Sequence, residues 1–441
     1  MTSKDGKARL TGGRPLPNEL ISVEIELTHP EDAISAVKFD PTNPDLLLVS
    51  SWDKTVKLYN LSNASPTEPI SVYPHPSPVL DVCFGTGKNA GRGYTASLDR
   101  GVREIDLQPS APTPNPANPN SIPNSNSRPN RVISTHQDAV KCVHYSSEFD
   151  ILITGSWDRS VMLQDPKASS NKQYPNQICS LTLPNLPAKV YSLDSSKDKL
   201  VVAMGNRRIW IWDLAKLSEA VEKVNQINKN PNLAATETVI PPPPLQERES
   251  SLKFMTRLIK CMPPGDGYAS GSIEGRVAVD FFDTSAESQA KKYAFKCHRQ
   301  AIDGVDTIYP VNALAFHPTH GTFATGGGDG IVSIWDSAAK KRLRQLPKYP
   351  GSITSLAFNS DGSKLAIGCS VLEEENPANN PAADDDHSNE RGADLENKEA
   401  SHNPDKKNSS HFNSLKNCVF VRNVIDDCKG KAKFWVPGKL W

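Results

Sequence analysis

Short runs in which apolar and polar residues alternate recur along the chain, and one stretch shows the pattern clearly. Between residues 249 and 299, residues typical of turns separate four such runs, at 254–262, 267–272, 276–282 and 292–297. The breaks contain Pro263, Pro264 and Gly265, and then the pair Glu274-Gly275, which interrupt strands and favour turns. Four short strands joined by turns form an antiparallel sheet, so this stretch predicts one blade of a β-propeller.

The same unit repeats on both sides of this stretch, and seven repeats of about 40 residues account for most of the 441 residues. Blade 1 begins at Ile34, and blade 7 resumes after a long interruption with CVFVRNV at 418–424. A separate alternating run, SVEIEL at 22–27, has no hairpin partner nearby. We expect it to complete the last blade, because ring closure removes open sheet edges. The prediction is an all-β fold, a seven-bladed β-propeller closed by its N-terminal strand.

Three polar insertions divide the chain into regions. They lie at about 109–130, 220–244 and 372–416, and their polar composition indicates disorder because it cannot bury a core. A short helical pattern, AKLSEAVEKV, leads into the second insertion. We expect a flexible N-terminus at 1–20, a propeller at 21–425 and a C-terminal tail at 426–441, whose Trp435 and Trp441 fit no repeat.

Composition narrows the classes of function. Fifty Lys and Arg residues balance fifty Asp and Glu residues, so the chain lacks the overall positive charge typical of DNA binding. No run approaches the ~20 apolar residues of a membrane span. The eight cysteines form no C-x-x-C pair, and Cys83, Cys142, Cys261, Cys297 and Cys369 lie in strand-like runs, which predicts buried thiols. We therefore expect a soluble intracellular protein without DNA or membrane partners.

Several runs also carry a family resemblance. ESSLKFMTR, GSIEGRVAV and YAFKCHR within 249–299, the run at 309–336 and the opening run at 34–60 resemble the WD-repeat propellers of the spindle-assembly checkpoint, the budding-uninhibited-by-benzimidazole family. The sister propellers of mRNA export share SIEGRVA and FKCHR. The SSWD-x-x-V-x-L-Y run at 50–59 is more similar to the checkpoint family, and mRNA export with nucleoporin and RNA binding stays as the alternative function.

The resemblance implies a non-enzymatic scaffold that works in the nucleus and at the mitotic kinetochore. Its implied partners are a checkpoint kinase and a pseudokinase relative, bound through their GLEBS motifs, and a phosphorylated kinetochore scaffold, bound through its MELT repeats. The anaphase-promoting complex machinery belongs to the same implied set.

Three residues are candidates for GLEBS binding. The turns between the second and third strands of each blade, and the connections between blades, should share one face of the ring, called the turn face below. Trp52 and Trp157 occupy such turns in blades 1 and 3, next to aspartates that we expect to cap the turns. Two tryptophans there indicate either a docking surface or packing on a neighbouring blade. Arg257 begins blade 5, and without the resemblance it would be interpreted as a solvated charge; the family implies that it pairs with GLEBS glutamates.

Two further residues are candidates for MELT binding. Arg276 ends a turn of blade 5, and Lys296 ends the fourth strand of that blade, so two cations could meet one phosphothreonine. The family implies this role for the GR and FKC positions. On the residues alone, both are equally compatible with a solvated face.

Catalytic signatures are weak. GTGK at 85–88 lacks the first glycine of a P-loop, and GGGDG at 326–330 reads as a tight turn. The chain shows no G-x-S-x-G motif and no His/Cys cluster with metal-binding spacing. We expect no catalytic residues, no metal and no cofactor.

Overall fold

The computed structural model describes residues 24–63, 65–108, 130–168, 178–230, 238–371 and 417–430. Within these residues, seven four-stranded antiparallel sheets follow one another as blades, and the predicted all-β, seven-bladed propeller is confirmed. The predicted N-terminus and the first and third insertions, apart from Asn130, lie outside the described residues.

The strands are as follows. An N-terminal strand, β1 (Glu24–Leu27), precedes blade 1, which contains β2 (Ile34–Phe39), β3 (Leu46–Ser51), β4 (Thr55–Asn60) and β5 (Pro69–Pro74). Blade 2 contains β6 (Val79–Phe84), β7 (Arg92–Ser97), β8 (Gly101–Asp106) and β9 (Arg131–Thr135). Blade 3 contains β10 (Val140–Ser146), β11 (Ile151–Ser156), β12 (Val161–Gln164) and β13 (Leu181–Leu183). Blade 4 contains β14 (Val190–Ser196), β15 (Lys199–Met204), β16 (Arg208–Asp213) and β17 (Gln246–Glu249).

The second half of the ring continues in the same way. Blade 5 contains β18 (Thr256–Cys261), β19 (Gly267–Ser272), β20 (Arg276–Phe281) and β21 (Tyr293–Lys296), and a separate hairpin, β22 (Arg299–Ile302) and β23 (Val305–Ile308), follows it. Blade 6 contains β24 (Val311–Phe316), β25 (Thr322–Gly327), β26 (Val332–Asp336) and β27 (Lys341–Gln345). Blade 7 contains β28 (Ser352–Phe358), β29 (Lys364–Ser370) and β30 (Cys418–Asn423). The helices are α1 (Leu214–Lys229), α2 (Ala286–Ala290) and a 3₁₀ turn (Gly87–Asn89).

The N-terminal strand closes the ring. Strand β1 pairs antiparallel with β30, from Glu24 opposite Arg422 to Leu27 opposite Val419. The Tyr349 hydroxyl donates a hydrogen bond of 2.6 Å to Glu24, and Leu27 lies in a core cluster that blades 1 and 7 share. The outermost strand of blade 7 therefore comes from the opposite end of the chain, as SVEIEL predicts.

The core lies between adjacent blades. Every residue of the second strands β11, β19 and β25 is buried, because a neighbouring blade covers each face of the sheet. The eight cysteines are unpaired, and all are buried except the half-buried Cys297, which agrees with the prediction.

Buried hydrogen bonds join neighbouring blades. His298, which follows the last strand of blade 5, lies 3.0 Å from the Thr325 hydroxyl and 3.0 Å from the Asp329 carboxylate in blade 6. The Trp335 indole donates to the same hydroxyl at 2.9 Å. The pairs His75–Thr95 and His136–Thr154 make the same contact at two other blade junctions, at 3.0 and 2.9 Å.

Two predicted boundaries differ from the structure. Residues 220–229, expected within the second insertion, belong to α1, because Leu214, Leu217 and Val221 bury one helix face against blades 3 and 4. The predicted tail begins at 426, yet Cys428 is fully buried between blades 6 and 7. Residues 231–237 and 431–441, including Trp435 and Trp441, lie outside the described residues.

Candidate functional site

A ring of bulged residues surrounds the mouth of the central channel. The first strand of every blade has a register shift after its first paired residue, so one residue per blade has no partner in the second strand. These residues are Ser35, Leu80, Lys141, Tyr191, Arg257, Asn312 and Thr354, and all seven line one cavity. A β-bulge re-aims the side chain of the extra residue. The repeated bulge therefore gives each blade one position at the mouth.

The cavity has a volume of about 1040 Å³, and both predicted tryptophans line it. Trp52 is 41% exposed. Trp157 is half-buried, and the Lys189 ammonium lies 5.5 Å from the centre of its ring. The Trp157 indole N–H has no hydrogen-bond partner among the described residues. The structure thus places one fully presented and one partly packed tryptophan at the same opening.

Aspartates hold the two tryptophan-bearing turns. Asp53 accepts a hydrogen bond from the backbone N–H of Thr55 at 2.8 Å, and Asp158 accepts one from that of Ser160 at 2.9 Å. The predicted capping role is confirmed at these turns. Because the carboxylates are used inside the turns, the neighbouring tryptophan side chains extend outward.

Arg257 is the bulged residue of blade 5 and lies at the same cavity. Its side chain is exposed, and no carboxylate lies within ion-pair distance of it among the described residues. The cavity wall also includes Glu31 and Asp32. The structure therefore brings Trp52, Trp157 and Arg257 together as the sequence predicts, and the arrangement suits a chain with apolar and acidic side chains.

The second predicted pair lies on blade 5. Arg276 and Lys296 are directly opposite each other in strands β20 and β21, so their side chains leave the same face of the sheet. Lys296 is exposed, whereas Arg276 is half-buried with its Nε 3.4 Å from Glu274. The turn before Arg276 needs a glycine, because Gly275 has φ +63° and a Cβ there would lie 2.7 Å from the His298 carbonyl oxygen.

A small cavity beside Lys296 separates blades 5 and 6. It has a volume of about 220 Å³, and its wall includes Phe295, Trp335, Lys341 and Arg342. The Phe295 and Trp335 rings are 4.5 Å apart. A dianion at Arg276 and Lys296 would therefore lie beside apolar rings and further cations.

Sequence reasoning missed a charged cluster inside the channel. The Asp194 carboxylate lies 3.6 Å from the Lys260 ammonium and 3.3 Å from the His144 ring, and it accepts a hydrogen bond of 2.8 Å from the Cys261 backbone. Although burial alone would raise it, the pKa of Asp194 is lowered by Lys260 and His144. Burial lowers the pKa of His144 to about 4. The available signal was a charged or titratable residue late in the first strand of blades 1, 3, 4 and 5.

Metal and membrane sites were sought in the same part of the chain. Among the described residues, no group of three or more His, Cys, Asp or Glu side chains is arranged to hold a metal ion. Neither described helix is long and apolar enough to cross a membrane.

Comparison with known proteins gives consistent matches. The model of the family "WD domain, G-beta repeat" matches residues 22–60, 127–165 and 292–336. The mitotic checkpoint protein BUB3.1 of Arabidopsis thaliana is 41% identical over 346 residues, which cover 78% of this chain and 86% of that protein. The mitotic checkpoint protein bub3 of Dictyostelium discoideum is 35% identical, covering 80% and 90%. A poly(A)+ RNA export protein of Schizosaccharomyces pombe is 30% identical, covering 77% and 82%.

Proposed function

Since the chain belongs to the BUB3 family of mitotic checkpoint WD-repeat propellers, we propose that it acts in the spindle-assembly checkpoint as a non-enzymatic scaffold. In this role its turn face holds checkpoint kinases, and the side of blade 5 docks them on a phosphorylated kinetochore protein. The scaffold works in the nucleus and at kinetochores during mitosis. The observation that carries the proposal is the convergence of Trp52, Trp157 and Arg257 on one cavity mouth.

The first half of the proposal concerns the GLEBS motif. An exposed tryptophan offers a large apolar surface with little loss of side-chain freedom on binding. The arginine can hold a carboxylate through two charge-assisted hydrogen bonds. A peptide that places apolar and acidic residues over the mouth matches both groups.

A peptide titration tests this half. We expect Trp52→Ala, Trp157→Ala and Arg257→Glu each to weaken binding of a GLEBS peptide, by about tenfold or more where a central tryptophan contributes about 2 kcal/mol. Lys223→Glu, a charge reversal on the exposed face of α1, is the matched control and should bind normally. Unchanged titration curves for all three variants would sink the docking face.

The second half concerns the MELT repeats. Phosphothreonine carries about −1.5 to −2 charges at neutral pH and three acceptor oxygens. Arg276 and Lys296 face the same side of one strand pair and can each bind one phosphate oxygen. Glu274 already neutralises part of the Arg276 charge, so the exposed Lys296 should contribute the larger share.

Binding of a MELT peptide with and without phosphate tests this half. We expect binding of the phosphorylated form alone, and Arg276→Ala with Lys296→Ala should remove most of the preference for phosphate while Lys223→Ala keeps it. Affinity should fall as salt rises, since exposed charges are screened over about 8 Å at physiological ionic strength. Equal binding of the two peptides would shift weight to the mRNA-export function of the export relatives.

A further inference from the structure

Two lysines meet inside the channel, below the mouth residues. Lys38 comes from β2 of blade 1, Lys260 comes from β18 of blade 5, and both line the central cavity. Their ammonium groups lie within hydrogen-bonding reach of each other. Blades 1 and 5 are not neighbours in the ring, so this contact spans the channel.

The carboxylates nearby are already bonded to the protein. Asp81 accepts backbone hydrogen bonds from Val82 at 2.9 Å and Val143 at 3.1 Å. Asp194 is held by the Cys261 backbone, the His144 ring and Lys260. Lys38 has no carboxylate within ion-pair distance among the described residues. It therefore faces a second cation without an anion of its own.

Contact between two cations is unfavourable, and the protein has two ways to relieve it. One is loss of a proton: the charge of Lys260, and then burial, lower the pKa of Lys38. The other is an anion between the two groups, since one acceptor can take a charge-assisted hydrogen bond from each ammonium. The cavity opens at the mouth beside Lys141 and Arg257, whose charges favour the entry of anions.

We propose that Lys38 and Lys260 form a channel site for one small inorganic anion, of the phosphate or chloride class, bound by both ammonium groups. Such an anion links blade 1 to blade 5 across the channel and stabilises the closed ring. The neutral Lys38 state and the anion-bound state compete, so the site fills as the anion concentration rises. The site does not depend on docking of any protein partner.

Thermal unfolding in sodium phosphate and in sodium chloride tests the proposal, with ionic strength held constant by sodium methanesulfonate. The melting temperature of the wild type should rise and then saturate with at least one of the two anions. Lys38→Met should lose this rise or shift its midpoint to at least about tenfold higher anion concentration, the factor for losing one charge-assisted hydrogen bond of about 1.4 kcal/mol or more. Lys38→Arg and the surface control Lys223→Met should keep it.

The baseline stability separates this site from a general loss of folding. Without added anion, Lys38→Met should melt no lower than the wild type, because it removes a cation that faces another cation. If Lys38→Met is insoluble, Lys38→Gln takes its place. An equal anion-dependent rise in the wild type and the Lys38 variants, or no rise in the wild type, would overturn the proposal.

Bromide locates the site independently of stability. Crystals of the full chain soaked in sodium bromide should show an anomalous peak between the Nζ atoms of Lys38 and Lys260, and the peak should be absent in Lys38→Met. Peaks confined to surface lysines would contradict a channel site.

Discussion

At the level of single residues, one hydroxyl organises the junction of blades 5 and 6. The Thr325 hydroxyl, fully buried, contacts the His298 ring at 3.0 Å and accepts the Trp335 indole N–H at 2.9 Å. A buried polar group that loses its partner retains the cost of its removal from water. The residue that occupies the same place in blade 5, Ser270, is buried without a hydrogen-bond partner among the described residues. Equivalent hydroxyls thus differ in what they hold.

This difference leads to a paired prediction. Thr325→Val should lower the free energy of unfolding by about 1–3 kcal/mol, because two buried donors lose their acceptor. Ser270→Ala should leave it nearly unchanged. Urea denaturation of the two variants beside the wild type measures both effects, and equal losses would contradict the role given to Thr325.

A buried histidine makes stability depend on pH. His317 Nδ1 accepts hydrogen bonds from the backbone N–H groups of Thr319 and His320 at 3.2 and 3.1 Å, and Nε2 lies 3.1 Å from the Gly362 carbonyl oxygen. The neutral ring with its proton on Nε2 satisfies all three contacts. A second proton on Nδ1 would face two N–H donors, and burial, followed by the charge of His320, lowers the pKa of His317 to about 4.

The sign of the pH effect follows from this lowered pKa. The unfolded chain binds the proton more readily, so the contribution of His317 is present above about pH 6.5 and is lost as the pH falls toward 4. From about pH 7.5 to about pH 5.5 this residue should cost about 1 kcal/mol. Urea denaturation across this range should show a smaller pH slope in His317→Gln than in the wild type. Parallel slopes would contradict the prediction.

At the level of elements, helix α1 shows how an insertion becomes ordered. Leu214, Leu217, Ala220 and Val221 are buried on one face, and Asp213 caps the N-terminus by accepting a hydrogen bond from the Lys216 backbone at 3.2 Å. Most helical stability in proteins comes from packing of such a face. The helix is therefore part of blades 3 and 4.

The cap can be tested with two substitutions. Asp213→Ala should lower the free energy of unfolding by about 1 kcal/mol, whereas Asp213→Asn, which keeps the acceptor, should cost a few tenths at most. Thermal unfolding resolves the pair, because about 1 kcal/mol shifts the melting temperature of a large domain by roughly 2–4 °C. A larger loss for Asp213→Asn than for Asp213→Ala would show that the charge, rather than the hydrogen bond, stabilises the helix.

At the level of the whole molecule, the ring depends on an exchange between the two ends of the chain. Strand β1 covers β30, which would otherwise present its backbone as an open edge. Leu27 is 2% exposed and packs with Val419 and Val421. Ring closure is therefore a long-range contact made by only four residues.

Truncation should separate closure from the flanking segment. A chain that starts at residue 21 should keep the stability of the full protein, whereas one that starts at residue 29 should lose at least about 2 kcal/mol, the contribution of one buried leucine, together with its strand pairing. The shorter chain should also associate through its open edge, which light scattering would detect. Identical melting curves and masses would contradict the closure role of β1.

The local pattern of the sequence determined the blades. Alternation with period two marks which side of a strand is buried, and Gly, Pro and Asp residues mark the turns, so blades, turn caps and the closing strand follow from neighbouring residues. The pairing of Arg276 with Lys296 was predictable for the same reason, since both belong to one blade. The tryptophans and Arg257 could be placed on one face because every blade runs in the same direction.

Only the tertiary structure decided where contacts between distant segments form. The bulge that brings Arg257 to the mouth shifts the register by one residue, which alternation alone does not reveal. The meeting of Lys38 with Lys260, the burial of Cys428 and the packing of α1 join parts of the chain that share no local pattern. Each depends on how blades close into a ring, because burial and charge neighbours are set by distance in space.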